Sequence, residues 1–248
     1  MRESKAIIER TRRIGPNWQH LALAVEDTAL AQIAPGQSLL VRATDSRDPY
    51  LRENWVPVGF DPEVNVLQIE HPINRHYGAG DAVSVIGPIG LGFEIMPGAN
   101  HLLLIAQDYP PTRLIFLMMQ AIENGLAVTL VLTGIASRYP IAALPPVVEV
   151  VHSEEIVAWP GNKEMLQWAH QVFVITSPVF AEERYRAVQE LARDARQALP
   201  DRFLSGIFDL TIPCGTGACQ ACMVRTRQND GLVCLSGPAF DLAKLKRS

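Results

Sequence analysis

The apolar pattern of this chain changes period once, near residue 101, and that change restricts it to two unlike halves. Between residues 17 and 97 the β-rich runs WQHLALAV, SLLVRA, NVLQIE and AVSVIGP are separated by the turn signals APGQ, DSRDP, GFDPE and GAGD. Short strands at that spacing predict a small antiparallel barrel or sandwich. From His101 onward strands and helices alternate. HLLLIA is an apolar strand, and PPTRLIFLMMQAIENG follows as a helix. Its residues Leu114, Leu117, Met118, Ala121 and Ile122 recur at i, i+3, i+4, i+7 and i+8, and Gly125 supplies the stop. LAVTLVLTG, VVEVVHS and QVFVITSP read as buried strands, and FAEERYRAVQELARDARQAL as a charge-laced helix. That alternation predicts a parallel sheet covered by helices.

A glycine-rich third region begins near residue 204 and holds every cysteine of the chain, within CGTGACQACMVRTRQNDGLVC, residues 214 to 234. The spacing is Cys214-x4-Cys219-x2-Cys222-x11-Cys234. A C-x4-C-x2-C run with a later fourth Cys is the plant-ferredoxin pattern of [2Fe–2S] ligation. The glycines suit it, because a loop wrapping a cluster needs positive φ at Gly215 and Gly217. Small neighbours (Thr216, Ala218, Ala221) let backbone N–H groups approach the sulfides. The alternative is structural zinc, which usually shows two short Cys knuckles; here only Cys219/Cys222 forms one. Disulfides would require an oxidising compartment, for which the sequence shows no other sign.

The charge balance bears on partners. Twenty-two Lys and Arg against 26 Asp and Glu give −4, and the longest basic block is the tail KLKRS. Neither a nucleic-acid stripe nor a polybasic membrane anchor is expected from this balance. The start MRESKAIIERTRRIG lacks the apolar core of a signal peptide, and no apolar run reaches the ~20 residues of a membrane span. A cytoplasmic protein without membrane insertion is expected. The six histidines show no ligand spacing, and no hydrolase, metalloprotease or P-loop motif is present. No general acid, base or nucleophile is expected.

Four passages carry a resemblance. APGQSLLVRA resembles a PGQF-type strand, GPIGLGF (87–93) a GPLGNGF segment, CGTGACQACMV a cluster-binding loop, and CLSGPAFD (234–241) a fourth ligand with its GP-x-F-D tail. Together they resemble the electron-transfer subunit of the dihydroorotate dehydrogenase complex, within the ferredoxin-NADP reductase superfamily, along essentially the whole chain. The resemblance implies an antiparallel β-barrel of flavin type over 1–98, an α/β nucleotide-binding-like domain over 99–203 and a [2Fe–2S] domain over 204–248. It implies FAD on the barrel, with Pro57, Gly87, Pro88 and Gly90 as flavin contacts, and a nicotinamide dinucleotide on the α/β part. It also implies electron relay through the cluster to a flavoprotein subunit.

The sequence departs from that family where the organic cofactors would bind. The Arg-Pro-x-Ser flavin strand becomes Val56-Pro57-Val58-Gly59, losing the phosphate-pairing Arg and the Ser. Arg52 lies four residues upstream as a substitute for that Arg, and Trp55 as a ring to stack on a flavin. The second flavin run, Tyr-Arg-x-x-Gly-x-Gly-Thr, falls near IEHPINRHYGAGD, where Arg75 and Gly78 stand without the pattern. The GGGIGVAPL-type phosphate turn becomes Ala106-Gln107-Asp108-Tyr109-Pro110-Pro111-Thr112-Arg113-Leu114, and CGP becomes Thr176-Ser177-Pro178. The expected function is therefore single-electron relay through a [2Fe–2S] cluster to or from a partner redox protein, without NAD(P). The alternative is a non-catalytic assembly subunit that keeps the reductase scaffold and the cluster.

Overall fold

The structure, a computed structural model, describes residues 2–44, 50–73 and 77–246. Its first part is a closed barrel of β1 (Arg2–Arg13), β2 (Trp18–Ala24), β3 (Ser38–Ala43), β4 (Glu53–Asp61), β5 (Val66–Pro72) and β6 (Ala82–Ile89), in the order β1-β2-β5-β4-β3-β6. Every pair is antiparallel, and closure leaves no edge strand. Ile8, Leu21, Leu23, Leu39, Leu67 and Val85 fill the interior.

Four of these strands lie on the runs expected from sequence. β1 and β4 do not, for separate reasons. Among the described side chains of β1 only Ala6 and Ile8 are buried, so its alternation is masked by charge. β4 contains Pro57, which has no N–H for the ladder; the strand tolerates it at a register shift between Pro57 and Gly59.

The second part contains β7 (His101–Gln107), α1 (Thr112–Glu123), β8 (Ala127–Thr133), β9 (Glu149–Ser153), α2 (Asn162–Trp168), β10 (Gln171–Thr176), α3 (Ala181–Ala195) and β11 (Leu204–Ile207). Beyond them lie β12 (Met223–Val224), β13 (Gly231–Leu232), α4 (Val233–Ser236) and β14 (Ala239–Asp241). The large sheet has the order β14-β11-β10-β7-β8-β9 and is parallel except at β14. Along β7, Leu102, Leu104 and Ala106 face α1, while Leu103 and Ile105 face the α2 and α3 side. Both faces are covered, which is why these strands are apolar throughout. The chain runs outward from β7 to β9 and then returns to β10. The gap between the ends of β7 and β10 is thus the topological switch point, where such sheets bind ligands.

One helix ties the two parts together. Leu114, Leu117 and Met118 of α1 join the core of the sheet, Ile115 of α1 joins the same core as Val58 of β4, and Phe116 packs on the barrel interior. The cysteine-bearing segment is seated on the barrel by a separate apolar cluster. There Leu40 and Ile89 meet Ile212, Cys222, Val224, Val233 and Cys234. Among the described residues no helix is long and apolar enough to cross a membrane.

Candidate metal centre and the cleft beside it

The loop from Cys214 to Cys222 takes left-handed backbone at Gly215 (φ 68°), Gly217 (φ 78°) and Gln220 (φ 56°). Such turns aim successive N–H groups inward as an anion-binding nest. The Thr216 N–H stands 3.5 Å from the Cys214 sulfur. Backbone N–H groups of Cys219 and Thr216 hold the Cys214 thiol down to about 6, so its thiolate is favoured near neutrality. At the buried end the opposite holds: burial first, and then Cys222 beside it, push Cys234 up to about 11, against an opposing N–H from Gly217. A Cβ at Gly217, where φ is left-handed, would be strained and would lie 2.6 Å from Leu235 Cδ1, so the exposed Leu235 side chain would have to shift.

The four thiols are free and group by burial and mutual influence into an outer pair, Cys214 with Cys219, and an inner pair, Cys222 with Cys234, with Cys214 also acting on Cys234. The first pair is half-buried to exposed, whereas Cys222 and Cys234 are 1% and 3% exposed. Two thiolates on each of two irons is the ligation of a [2Fe–2S] centre, and this donor set fits it. Among the described residues no three His, Cys, Asp or Glu close on a single-ion position.

Of the expected flavin glycines, Gly90 holds this centre to the barrel, and Gly87 is packed within the barrel. The Gly90 N–H donates to the Cys234 carbonyl (3.1 Å), and the Leu91 N–H to that of Gly237 (2.7 Å). Gln37 Nε2 donates to the Gly90 carbonyl (3.0 Å). A Cβ at Gly90, where φ is +82°, would lie 2.8 Å from the Gly237 oxygen; one at Gly87 would lie 2.5 Å from Leu39 Cδ2. Pro88 is half-buried beside them, and Pro57 is buried in β4. Gly90→Ala is therefore expected to cost about 2 kcal/mol or more, from left-handed strain plus the clash. The measurable result is faster loss of the visible chromophore on warming, with unchanged initial iron content.

The other sequence candidates lie elsewhere. The Arg52 guanidinium donates to the Ser84 carbonyl (2.8 Å) and to Glu3 (2.7 Å), so it is tied to β1 and β6. Trp55 is 2% exposed, edge-on to His71 and Tyr77, and its Nε1 donates to Glu53 (3.1 Å). Arg75 and His76 lie outside the described residues.

Sequence reasoning missed a polar knot between barrel and sheet. Glu70 of β5, 4% exposed, accepts hydrogen bonds from the hydroxyls of Thr112 and Tyr139, with His20 Nε2 at 3.5 Å. Burial, followed by this carboxylate, pushes the Tyr139 phenol far up, so it remains a donor. At the switch point Arg113, 2% exposed, pairs with Asp209 (2.6 Å), which also accepts from the Tyr109 hydroxyl (2.8 Å). The turn after β7 is filled by its own side chains. Gln107 donates to Asp108, and Asp108 accepts from the Ile135 N–H (2.9 Å). The only legible signal for this knot is charged and hydroxyl residues near element ends; their partners are 42 to 100 residues away in sequence.

Comparison with known proteins agrees with this architecture. Residues 211–246 match the family described as the iron-sulfur cluster binding domain of dihydroorotate dehydrogenase B. The chain is 26% identical to the electron transfer subunit of dihydroorotate dehydrogenase B (NAD(+)) of Shouchella clausii, over 85% of this chain and 86% of that one. It is 25% identical to the corresponding Geobacillus subunit, over 97% of each. Among solved structures, an NADH-dependent reduced ferredoxin-NADP oxidoreductase superposes with a TM-score of 0.72 at 14% identity, covering 97% of this chain and 89% of that one. An Amycolatopsis cytochrome P450 reductase gives 0.58 at 17% identity, covering 82% and 68%. The fold is that of the ferredoxin-NADP reductases.

Proposed function

We propose that this chain, similar to the electron transfer subunits of dihydroorotate dehydrogenase B, relays single electrons through a [2Fe–2S] cluster held by Cys214, Cys219, Cys222 and Cys234. The observation that supports this best is the loop 214–222, whose inward N–H groups and paired thiols fit that cluster and its negative charge. When bound, the cluster supplies a one-electron couple. The residues do the rest. N–H donors from Thr216, Gly217 and Cys219 stabilise thiolate sulfur, and the apolar packing of Cys222 and Cys234 against Leu40 and Ile89 keeps water from the inner pair. Cys219 is exposed, with Leu235 (51%) and Leu91 (55%) exposed on the same segment and its barrel contact, so the outer pair faces a partner.

The partner in this reading is a redox protein or flavoprotein subunit in a reducing, cytoplasmic setting. Residues 204–248 act as the cluster-binding unit, 1–98 and 99–203 as its barrel and α/β supports. The rival reading, an assembly scaffold with the cluster as a structural staple, draws support from the side chains that fill the switch point. Anaerobically purified protein should hold about two irons and two sulfides per chain. Dithionite should bleach it and give an electron paramagnetic resonance signal, with full recovery on reoxidation. Bound zinc, or a cluster that is destroyed rather than cycled, would refute the relay.

A further inference from the structure

The resemblance implies FAD on the barrel at the β4 passage 56–59, which faces α1 across a groove between barrel and sheet. We infer that in this chain the groove is closed by its own side chains and takes no FAD.

Three observations carry this. First, the groove is partitioned. One cavity of about 360 Å³ borders Glu53, Asn54, Trp55 and Val56 of β4 together with Thr112 and Arg113 of α1. Another, of about 390 Å³, borders Val58, Gly59, Phe60 and Asp61 together with Ile115, Phe116 and Met119. Between them α1 touches the barrel directly. Val58 and Ile115 share one buried cluster, and Thr112 and Tyr139 donate to the buried Glu70. Neither cavity continues into the other past that contact, so no single open groove runs along β4.

Second, the electrostatics are of the wrong sign. The cavity at the switch point is walled by the carboxylates of Glu53, Glu70 and Asp209 and by one guanidinium, Arg113. Arg113 is already paired with Asp209 through Nη2, and its Nε–H is buried without a partner. A pyrophosphate entering there would desolvate beside three acids, with the one guanidinium already committed to Asp209. Third, among the described residues the replacements that the sequence offers for the missing flavin ligands are engaged elsewhere, and Arg10 and Arg12 border only the second cavity, beside Asp61 and Glu123. Arg52 is bound to Ser84 and Glu3, Trp55 is packed inside the barrel, and Gly87 and Gly90 close on Leu39 and on the cluster segment.

The test titrates the full-length, cluster-loaded chain with FAD and measures flavin retained after desalting, with iron and sulfide counted in the same samples. Far substoichiometric flavin and unchanged tryptophan fluorescence are expected, whatever the iron count shows about the cluster. Stoichiometric retained FAD overturns the inference. A Val56→Arg/Gly59→Ser variant restores the lost ligand types while leaving the contact between Val58, Ile115, Thr112 and Glu70 in place. It should still retain no flavin. Stoichiometric binding by that variant would show that missing ligands, not a closed groove, exclude FAD, and would equally overturn the inference.

Discussion

Cys234→Ala is expected to remove the cluster completely: iron, sulfide and visible absorption fall to background, while the barrel and sheet remain folded. The size of the effect follows from position. Cys234 is buried beside Cys222 on α4, and its carbonyl is gripped by the Gly90 N–H. No other thiol can take its place, because the chain has only these four cysteines. Ligand loss also removes the binding free energy that orders the loop, so the 214–222 segment should become protease-sensitive. Cys219→Ala, at the exposed end, should lose the cluster as well but leave the apolar seat intact. Unchanged iron content in Cys234→Ala would disprove the ligand set.

The second large effect is expected from Arg113→Ala. Its guanidinium is buried and paired with Asp209, so truncation leaves a carboxylate in a poorly solvated site. Breaking such a pair from one side costs about 3–5 kcal/mol. Acidity provides an internal check. Burial would raise the Asp209 carboxyl, but Arg113 and the Tyr109 hydroxyl outweigh it and hold it below the usual range. A depressed carboxyl contributes stability that is present above about pH 4, its unfolded range, and lost as pH falls through the folded value. In Arg113→Ala the depression disappears and burial dominates. The stability gap between wild type and variant should therefore be widest near neutrality and shrink in acid, as read from denaturant midpoints. A gap independent of pH would mean that packing, not charge, is what Arg113 contributes.

The sequence by itself determined the features with local causes. The cluster loop was legible because ligand spacing, glycines and small residues all lie within one window. The sheet strands and α1 were legible because their apolar periods are uninterrupted. β1 and β4 were not, since pairing within a closed barrel overrides a charged run and a mid-strand proline. Only the tertiary structure decided what the retained glycines do. Gly87 and Gly90 sit in a passage that resembles a flavin segment, yet their lack of a Cβ is what lets Leu39 and the Cys234–Gly237 backbone approach. It also decided the fate of the groove. Glu70, Thr112, Tyr139, Arg113 and Asp209 come from segments far apart in the chain, and buried hydrogen bonds between such segments have no sequence period to betray them.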